Sequence, residues 1–146
     1  MRKGLSGRLA LDTSALIELI LSTPIGLSLK EALKDGEVEV CTSELSIAEL
    51  RYVLCRRLGL EESNARLDSL MASGYITVED MAPLIPAASK YKCERAISLA
   101  DCFCLALAHK SSCKATFAKR EKELVMEMQK KPFDVEVFFL EEKPEH

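Results

Sequence analysis

Short apolar runs alternate along this chain with longer segments whose apolar positions recur at helical spacing. The short runs predict strands, at Leu9–Leu11, Val38–Cys41, Tyr75–Val78, Ala115–Phe117 and Val135–Leu140. Helices are predicted from the period and from start and stop signals, at 13–21, Pro24–Lys34, 43–58, Glu61–Ala72, Asp80–Tyr91, Leu99–Lys110 and Arg120–Lys130. A strand followed by a helix, repeated, predicts an α/β fold in which a parallel sheet carries helices on both faces.

Hydroxyl and proline residues mark several element ends. Thr13 or Ser14 is expected to cap the first helix, because a hydroxyl there accepts a hydrogen bond from a free helix N–H. Pro86 weakens the prediction of a helix over 80–91, since proline inside a helix removes a hydrogen bond. The tail Glu141–His146 is expected to fray.

Length and composition favour one globular domain. The chain has 146 residues, of which 48% are hydrophobic and 29% charged, with a formal net charge of −3. We expect a single domain with a core from about 8 to 140. With only two histidines and no tryptophan, a zinc enzyme built on several histidines and base stacking on a broad aromatic platform are excluded.

Six cysteines occur without any CxxC spacing, which favours small buried hydrophobes in a reducing compartment over a metal site. A disulfide stays possible for a hyperthermophile. The apolar stretch from Leu9 to Leu21 is too short and too charged to cross a bilayer. We therefore expect a cytoplasmic protein with no membrane association.

Asp12 ends the first apolar strand and is followed by Thr13 and Ser14. Active sites of open parallel sheets gather at the carboxyl ends of the strands. Asp12 is therefore a candidate site residue. The alternative is that it only caps the first helix.

Glu49 and Asp101 lie on predicted helices with largely apolar neighbours three and four positions away. A buried carboxylate is costly unless it is paired or bound to a cation. Ser46-x-x-Glu49 and Ser98-x-x-Asp101 also have capping-box spacing, so a structural role competes for each acid.

Three acids in such places together indicate a metal. Mg²⁺ and Mn²⁺ prefer hard oxygen ligands and keep several waters, so that a few carboxylates suffice. A divalent cation also removes the repulsion between clustered carboxylates. Residues 84–131 carry an excess of Lys and Arg over Asp and Glu, which is a weak indication of a phosphate-backbone partner.

The order and separation of three motifs resemble those of the PIN domain, in particular the VapC-like toxins of VapBC toxin–antitoxin pairs. The motifs are Leu-Asp-Thr-Ser at the end of the first strand, the Ala48-Glu49-Leu50 helix and the Leu99-Ala100-Asp101 helix. The resemblance spans roughly Arg8 to Leu140. Its most specific parts are Ser46–Gly59 and Ser98–Ala108.

The resemblance implies a three-layer α/β/α sandwich and an Mg²⁺- or Mn²⁺-dependent endoribonuclease that frequently forms a homodimer. It implies that Asp12, Glu49 and Asp101 are metal ligands and catalytic residues, and that Thr13 or Ser14 supports the site by hydrogen bonding. Metal-activated water would attack the RNA and leave 5′-phosphate and 3′-hydroxyl ends.

A fourth family acid usually follows the next strand in a pattern like Thr-x-Asp-x-x-Phe. Here Glu121 fits the second half of that pattern, with Glu in place of Asp and a longer gap after Thr116. Glu123 is the competing choice, and a surface acid paired with lysines is an equally good interpretation. Three basic residues beside it could contact the RNA backbone, namely Lys119, Arg120 and Lys122.

Three functional hypotheses stay open. The first is a toxin ribonuclease restrained by a cognate antitoxin protein. The second is a PIN-type nuclease of RNA processing that has no antitoxin. The third is a catalytically silent PIN-like domain that binds RNA or protein.

Overall fold

The computed structural model describes residues 4–141, in which the predicted alternation of strands and helices is present. The strands are Gly7–Leu11 (β1), Val38–Ser43 (β2), Ile76–Glu79 (β3), Lys114–Phe117 (β4) and Val137–Phe139 (β5). The helices within these residues are Thr13–Ile20 (α1), Pro24–Lys34 (α2), Glu44–Leu58 (α3), Leu60–Ala72 (α4), Ile85–Glu94 (α5), Leu99–Ser111 (α6) and Lys122–Lys130 (α7). A 3₁₀ turn at Ala82–Leu84 precedes α5.

The five strands form one parallel sheet in the order β3-β2-β1-β4-β5. The chain leaves β1 toward β2 and β3 and then returns to the other side of β1 for β4 and β5. The strand order therefore reverses between β1 and β4, where the carboxyl ends of parallel strands leave a crevice for a site. A backbone hydrogen bond joins the two strands there, from Asp12 N to Thr116 O at 2.9 Å.

Alternate residues of β1 face two separate cores, as the pleat of a strand requires. Leu9 and Leu11 pack in a cluster with residues of α1 to α4. Ala10 packs in a second cluster with residues of α5, α6 and α7. Helices therefore cover both faces of the sheet, which confirms the predicted three-layer α/β/α fold.

Helix α1 begins at Thr13 as predicted, but its cap is a different residue from the one predicted. Asp12 is its N-cap and accepts a hydrogen bond from Ser14 N, so the prediction that Thr13 or Ser14 caps this helix is wrong. Asp12 stands directly before the first helical turn, so its carboxylate is placed to accept hydrogen bonds from the free N–H groups of that turn.

Two other helix starts decide between sequence alternatives. Ser43 caps α3 by accepting from Ser46 N, so Ser46 lies inside the helix and does not form a capping box with Glu49. Pro86 lies in the first turn of α5, where a missing N–H is tolerated. The helix predicted from Arg120 begins only at Lys122.

Helices α1 and α2 meet at a very close contact. A Cβ atom placed on Gly26 would lie 1.8 Å from the carbonyl oxygen of Glu18, so only glycine fits at this position. The two helices are thereby fixed against each other.

The six cysteines are free thiols, and Cys41, Cys102 and Cys104 are buried. No helix between residues 4 and 141 is long and apolar enough to span a bilayer. Of the tail predicted to fray, residues 142–146 lie outside the described residues.

Candidate active site

Asp12 brings the first carboxylate of the site to the carboxyl end of β1. Its side chain is 4% exposed. Oδ2 accepts hydrogen bonds from Ser14 N at 3.2 Å and from Ser14 Oγ at 2.9 Å. Oδ1 is buried and has no hydrogen-bond partner among the described residues. One oxygen is thus held by α1 and the other is available for a ligand.

Asp101 brings the second carboxylate from the first turn of α6. Residues 100–108 of this helix are all buried, so α6 is embedded against the sheet and Asp101 is only 5% exposed. Ser98 caps the helix, its Oγ accepting from Asp101 N at 3.1 Å. Ser98 therefore caps the helix as the sequence spacing suggested. The carboxylate of Asp101 nevertheless faces Asp12 and Glu121.

Glu121 brings the third carboxylate from the loop after β4. It occupies the N-cap position of α7, yet its side chain makes no capping hydrogen bond. Its carboxylate instead faces the buried acids of β1 and α6. Ser14 links this loop to the start of α1, because its hydroxyl accepts from Ala118 N at 3.1 Å while it donates to Asp12.

The three carboxylates converge on one point. One oxygen each from Asp12, Asp101 and Glu121 lies within 4.8 Å of the other two. Between residues 4 and 141, none of the three forms an ion pair with a Lys, Arg or His side chain. A buried negative cluster of this kind calls for a cation from outside the chain.

The electrostatics of the cluster agree with this geometry. Burial raises the pKa of Asp12 from its ordinary value of 3.8 to about 6, against the hydrogen bonds from Ser14. Burial, followed by the charges of Asp12 and Glu121, raises the pKa of Asp101 from 3.8 to about 8. Both shifts express the cost of holding these oxygens ionised without a positive partner. The all-oxygen donor set and the free Oδ1 of Asp12 fit a hard divalent cation such as Mg²⁺ or Mn²⁺.

The profile of the PIN domain matches residues 9–124. The chain belongs to the PIN domain family. No curated protein matches its sequence significantly. The matched region contains every member of the carboxylate cluster.

Several solved structures share this fold with the chain, among them a VapC toxin and VapBC complexes. The VapC20 toxin of Mycobacterium tuberculosis, which cleaves the sarcin–ricin loop, is 20% identical and aligns over 81% of this chain and 93% of its own, with a TM-score of 0.62. DNA-bound VapBC from Salmonella typhimurium is 12% identical over 91% of this chain and 98% of its own, with a TM-score of 0.67. FitAcB from Neisseria gonorrhoeae is 23% identical over 89% and 96%, with a TM-score of 0.54.

The other acids proposed from the PIN resemblance are not members of this cluster. Glu49 is on α3, half-buried, and does not belong to the group of carboxylates that lie within 4.8 Å of one another. Glu123 is exposed on α7. Of the two choices for the fourth family acid, the structure therefore brings Glu121 and not Glu123 to Asp12 and Asp101.

Hydroxyl groups beside the PIN acids differ in their contacts. Ser14 bridges Asp12 and the loop after β4, as described above. The Oγ1 of Thr13 is buried and has no hydrogen-bond partner among the described residues. Ser14 is thus the hydroxyl that supports the geometry of the acids.

Sequence reasoning missed one contact to the loop that carries Glu121. The backbone N–H of Arg120 donates to Oε1 of Glu141 at 2.6 Å. Glu141 was included in the tail expected to fray. Only its position directly after the last predicted strand could have indicated a contact with the neighbouring strand end.

Proposed function

We propose that this PIN domain is an Mg²⁺- or Mn²⁺-dependent endoribonuclease and the toxin of a toxin–antitoxin pair. The observation that carries the proposal is the convergence of Asp12, Asp101 and Glu121 within 4.8 Å in a setting without an ion-pair partner among the described residues. Clustered carboxylates of this kind suit a nuclease that uses a divalent metal.

In this proposal Asp12, Asp101 and Glu121 hold the metal. When bound, the metal would supply an activated water and offset negative charge on a phosphodiester. Ser14 keeps Asp12 oriented through two hydrogen bonds to Oδ2, which leaves Oδ1 for the cation. Glu49 is proposed as a further acid of the site, at its periphery.

Basic residues beside the cluster would bind the RNA backbone. Lys119 and Lys122 flank Glu121 in sequence and are exposed. Arg120 is also exposed, but its guanidinium lies over the ring of Phe139 at 4.7 Å. The two lysines are therefore the freer groups for phosphate contacts, which provide affinity without base specificity.

An antitoxin partner is supported by an apolar groove between α1, α2 and α4. The cavity holds about 450 Å³ and is lined by side chains such as Leu19, Leu33 and Leu70, with Lys30 and Arg66 also in the lining. Several structural relatives are toxins in complex with antitoxins. We propose that a cognate antitoxin binds here, and that the protein is a cytoplasmic homodimer.

Asp101→Asn tests the nuclease proposal. With Mn²⁺ present, the wild-type chain should cleave RNA and Asp101→Asn should lose at least about 100-fold in rate, since a metal ligand is removed. Asp68→Asn, an exposed acid on α4, is the matched control and should cleave as the wild type does. Equal cleavage by the wild type and Asp101→Asn would contradict the site assignment.

Growth of a bacterial host separates the toxin from the other two hypotheses. Expression of the wild-type chain should arrest growth, and Asp101→Asn should restore it. Cleavage in vitro without growth arrest would favour an RNA-processing nuclease. Neither cleavage nor arrest would favour a catalytically silent binding domain.

A further inference from the structure

The chain after β5 continues to pair with the end of β4. Leu140 N donates to Phe117 O at 2.9 Å, and Glu141 N donates to Ala118 O at 3.0 Å. The edge strand thus follows its neighbour past the end of the sheet. It stays in contact with the backbone that leads to Glu121.

The side chain of Glu141 then turns onto the same loop. Its Oε1 accepts from Arg120 N at 2.6 Å. The guanidinium of Arg120 lies over the ring of Phe139, with 4.7 Å between the Cζ atom and the ring centroid. Both contacts hold Arg120, which directly precedes Glu121, and both are made by the segment 139–141.

The other end of this four-residue loop is held from the first turn of α1. Ala118 N donates to Ser14 Oγ at 3.1 Å. Glu121 itself has no side-chain capping bond that would fix it on α7. The backbone position of Glu121 is therefore set by the contacts of the loop and not by a capping hydrogen bond of its own side chain.

We propose that Glu141 is a positioning residue that keeps the carboxylate of Glu121 beside Asp12 and Asp101. This inference rests on the proposed metal-dependent function. Loss of the Glu141 carboxylate would free the backbone at Arg120 and let the third metal ligand move away. Because the hydrogen bond is exposed, water would replace it, and the fold as a whole would keep its stability.

Mn²⁺ binding measured by electron paramagnetic resonance tests the proposal on the full chain. Glu141→Ala should weaken Mn²⁺ binding about tenfold or more, the usual effect of removing a group that orients a metal ligand. Glu141→Gln should bind Mn²⁺ as the wild type does, because its amide oxygen still accepts from Arg120 N. Glu136→Ala is the matched control, since Glu136 is an exposed acid just before β5 that pairs with Lys114 at 3.8 Å.

Amide hydrogen exchange gives a readout that needs no metal. The Arg120 amide should exchange faster in Glu141→Ala than in the wild type and in Glu141→Gln. The thermal unfolding midpoints of the three proteins should agree. A lower midpoint for Glu141→Ala with matching loss of protection throughout the sheet would overturn the positioning role in favour of a general structural one.

Two further outcomes would overturn the inference. Equal Mn²⁺ affinity for the wild type and Glu141→Ala would show that the contact does not matter for the site. Equal losses in Glu141→Ala and Glu141→Gln would show that the charge of Glu141, and not its hydrogen bond, is what counts. In both cases wild-type binding that is lost in Asp101→Asn leaves the proposed function standing, whereas absence of wild-type Mn²⁺ binding would overturn both proposals.

Discussion

Glu127 and Asp101 are buried to nearly the same extent, at 6% and 5% exposure, but their surroundings differ. Glu127 on α7 lies 3.8 Å from Arg95 Nη1 and 3.2 Å from Lys130 Nζ. Asp101 has the carboxylates of Asp12 and Glu121 as its charged neighbours.

The difference separates a structural acid from a site acid. At Glu127 the chain provides its own cations, and Arg95 also donates to the carbonyl oxygens of Glu127, Lys131 and Pro132. Around Asp101 the charged neighbours are carboxylates, which add negative charge instead of balancing it. Burial alone is therefore a poor sign of function in this protein, and the identity of the nearest charges is the better one.

The largest effect on stability is expected at the paired acid. Arg95→Ala should lower the free energy of unfolding by about 3 kcal/mol, because it removes one cation from a buried carboxylate and the donors to three carbonyl groups. Arg57→Ala, an exposed arginine of α3, should change it by less than about 0.5 kcal/mol. Urea denaturation measures both, and a similar small change in the two variants would mean that the Glu127 pair is dispensable.

The unpaired acids should make the metal-free protein sensitive to pH. The pKa values of Asp12 and Asp101 are raised in the folded state, so the folded protein binds protons more tightly than the unfolded chain. As far as these groups contribute, stability is then greatest below about pH 4 and is lost as pH rises through about 6 and about 8, the folded-state pKa values of Asp12 and Asp101.

Mn²⁺ should reverse that loss. Added at pH 8, it should raise the thermal unfolding midpoint of the wild type, because it binds only the folded cluster. A flat stability between pH 5 and 8 without metal would contradict the predicted cost of the carboxylate cluster.

Neutral substitutions should shift stability in opposite directions at the two acids. In metal-free protein at pH 8, Asp101→Asn should raise the free energy of unfolding by about 1 kcal/mol, because it removes a buried and repelled charge. Glu127→Gln should lower it by about 1 kcal/mol or more, because it leaves Arg95 without its anion. Destabilisation of similar size in both variants would contradict the distinction between Glu127 as a structural acid and Asp101 as a site acid.

The smallest effect is expected at Glu49. Since its carboxylate is not part of the cluster, Glu49→Gln should reduce Mn²⁺ affinity by less than about tenfold, below the effect of removing a ligand. Calorimetric titration against the wild type and Asp101→Asn measures this. A loss equal to that of Asp101→Asn would place Glu49 among the metal ligands.

The fold and two of the three clustered acids could be predicted from sequence because both depend on local patterns. Apolar runs and helix periods set the elements, and parallel strands bring their carboxyl ends to one edge. Asp12 follows β1 directly, and Asp101 stands one turn into an apolar helix. The cap of α1 was mispredicted because carboxylates and hydroxyls compete closely for the same helix N–H groups.

For the third acid the sequence pattern favoured Glu121 but left Glu123 in competition, since the position of this acid depends on distant contacts. Glu121 and Glu123 have the same chemistry, and the loop before them takes its shape from Ser14, more than a hundred residues earlier, and from Glu141. The placement of Glu49 depends on the rotation of α3 about its axis, which a largely apolar stripe leaves uncertain by a fraction of a turn.

The pairing of β1 with β4 also sets the order of events during synthesis. In a nascent chain Asp12 leaves the ribosome well before β4, which pairs with β1, and Glu121 follows Asp12 by more than a hundred residues. Until β4 and the loop after it emerge and dock, the three oxygens cannot meet. The acidic centre therefore cannot exist before translation has passed Glu121, even though Asp12 is already made.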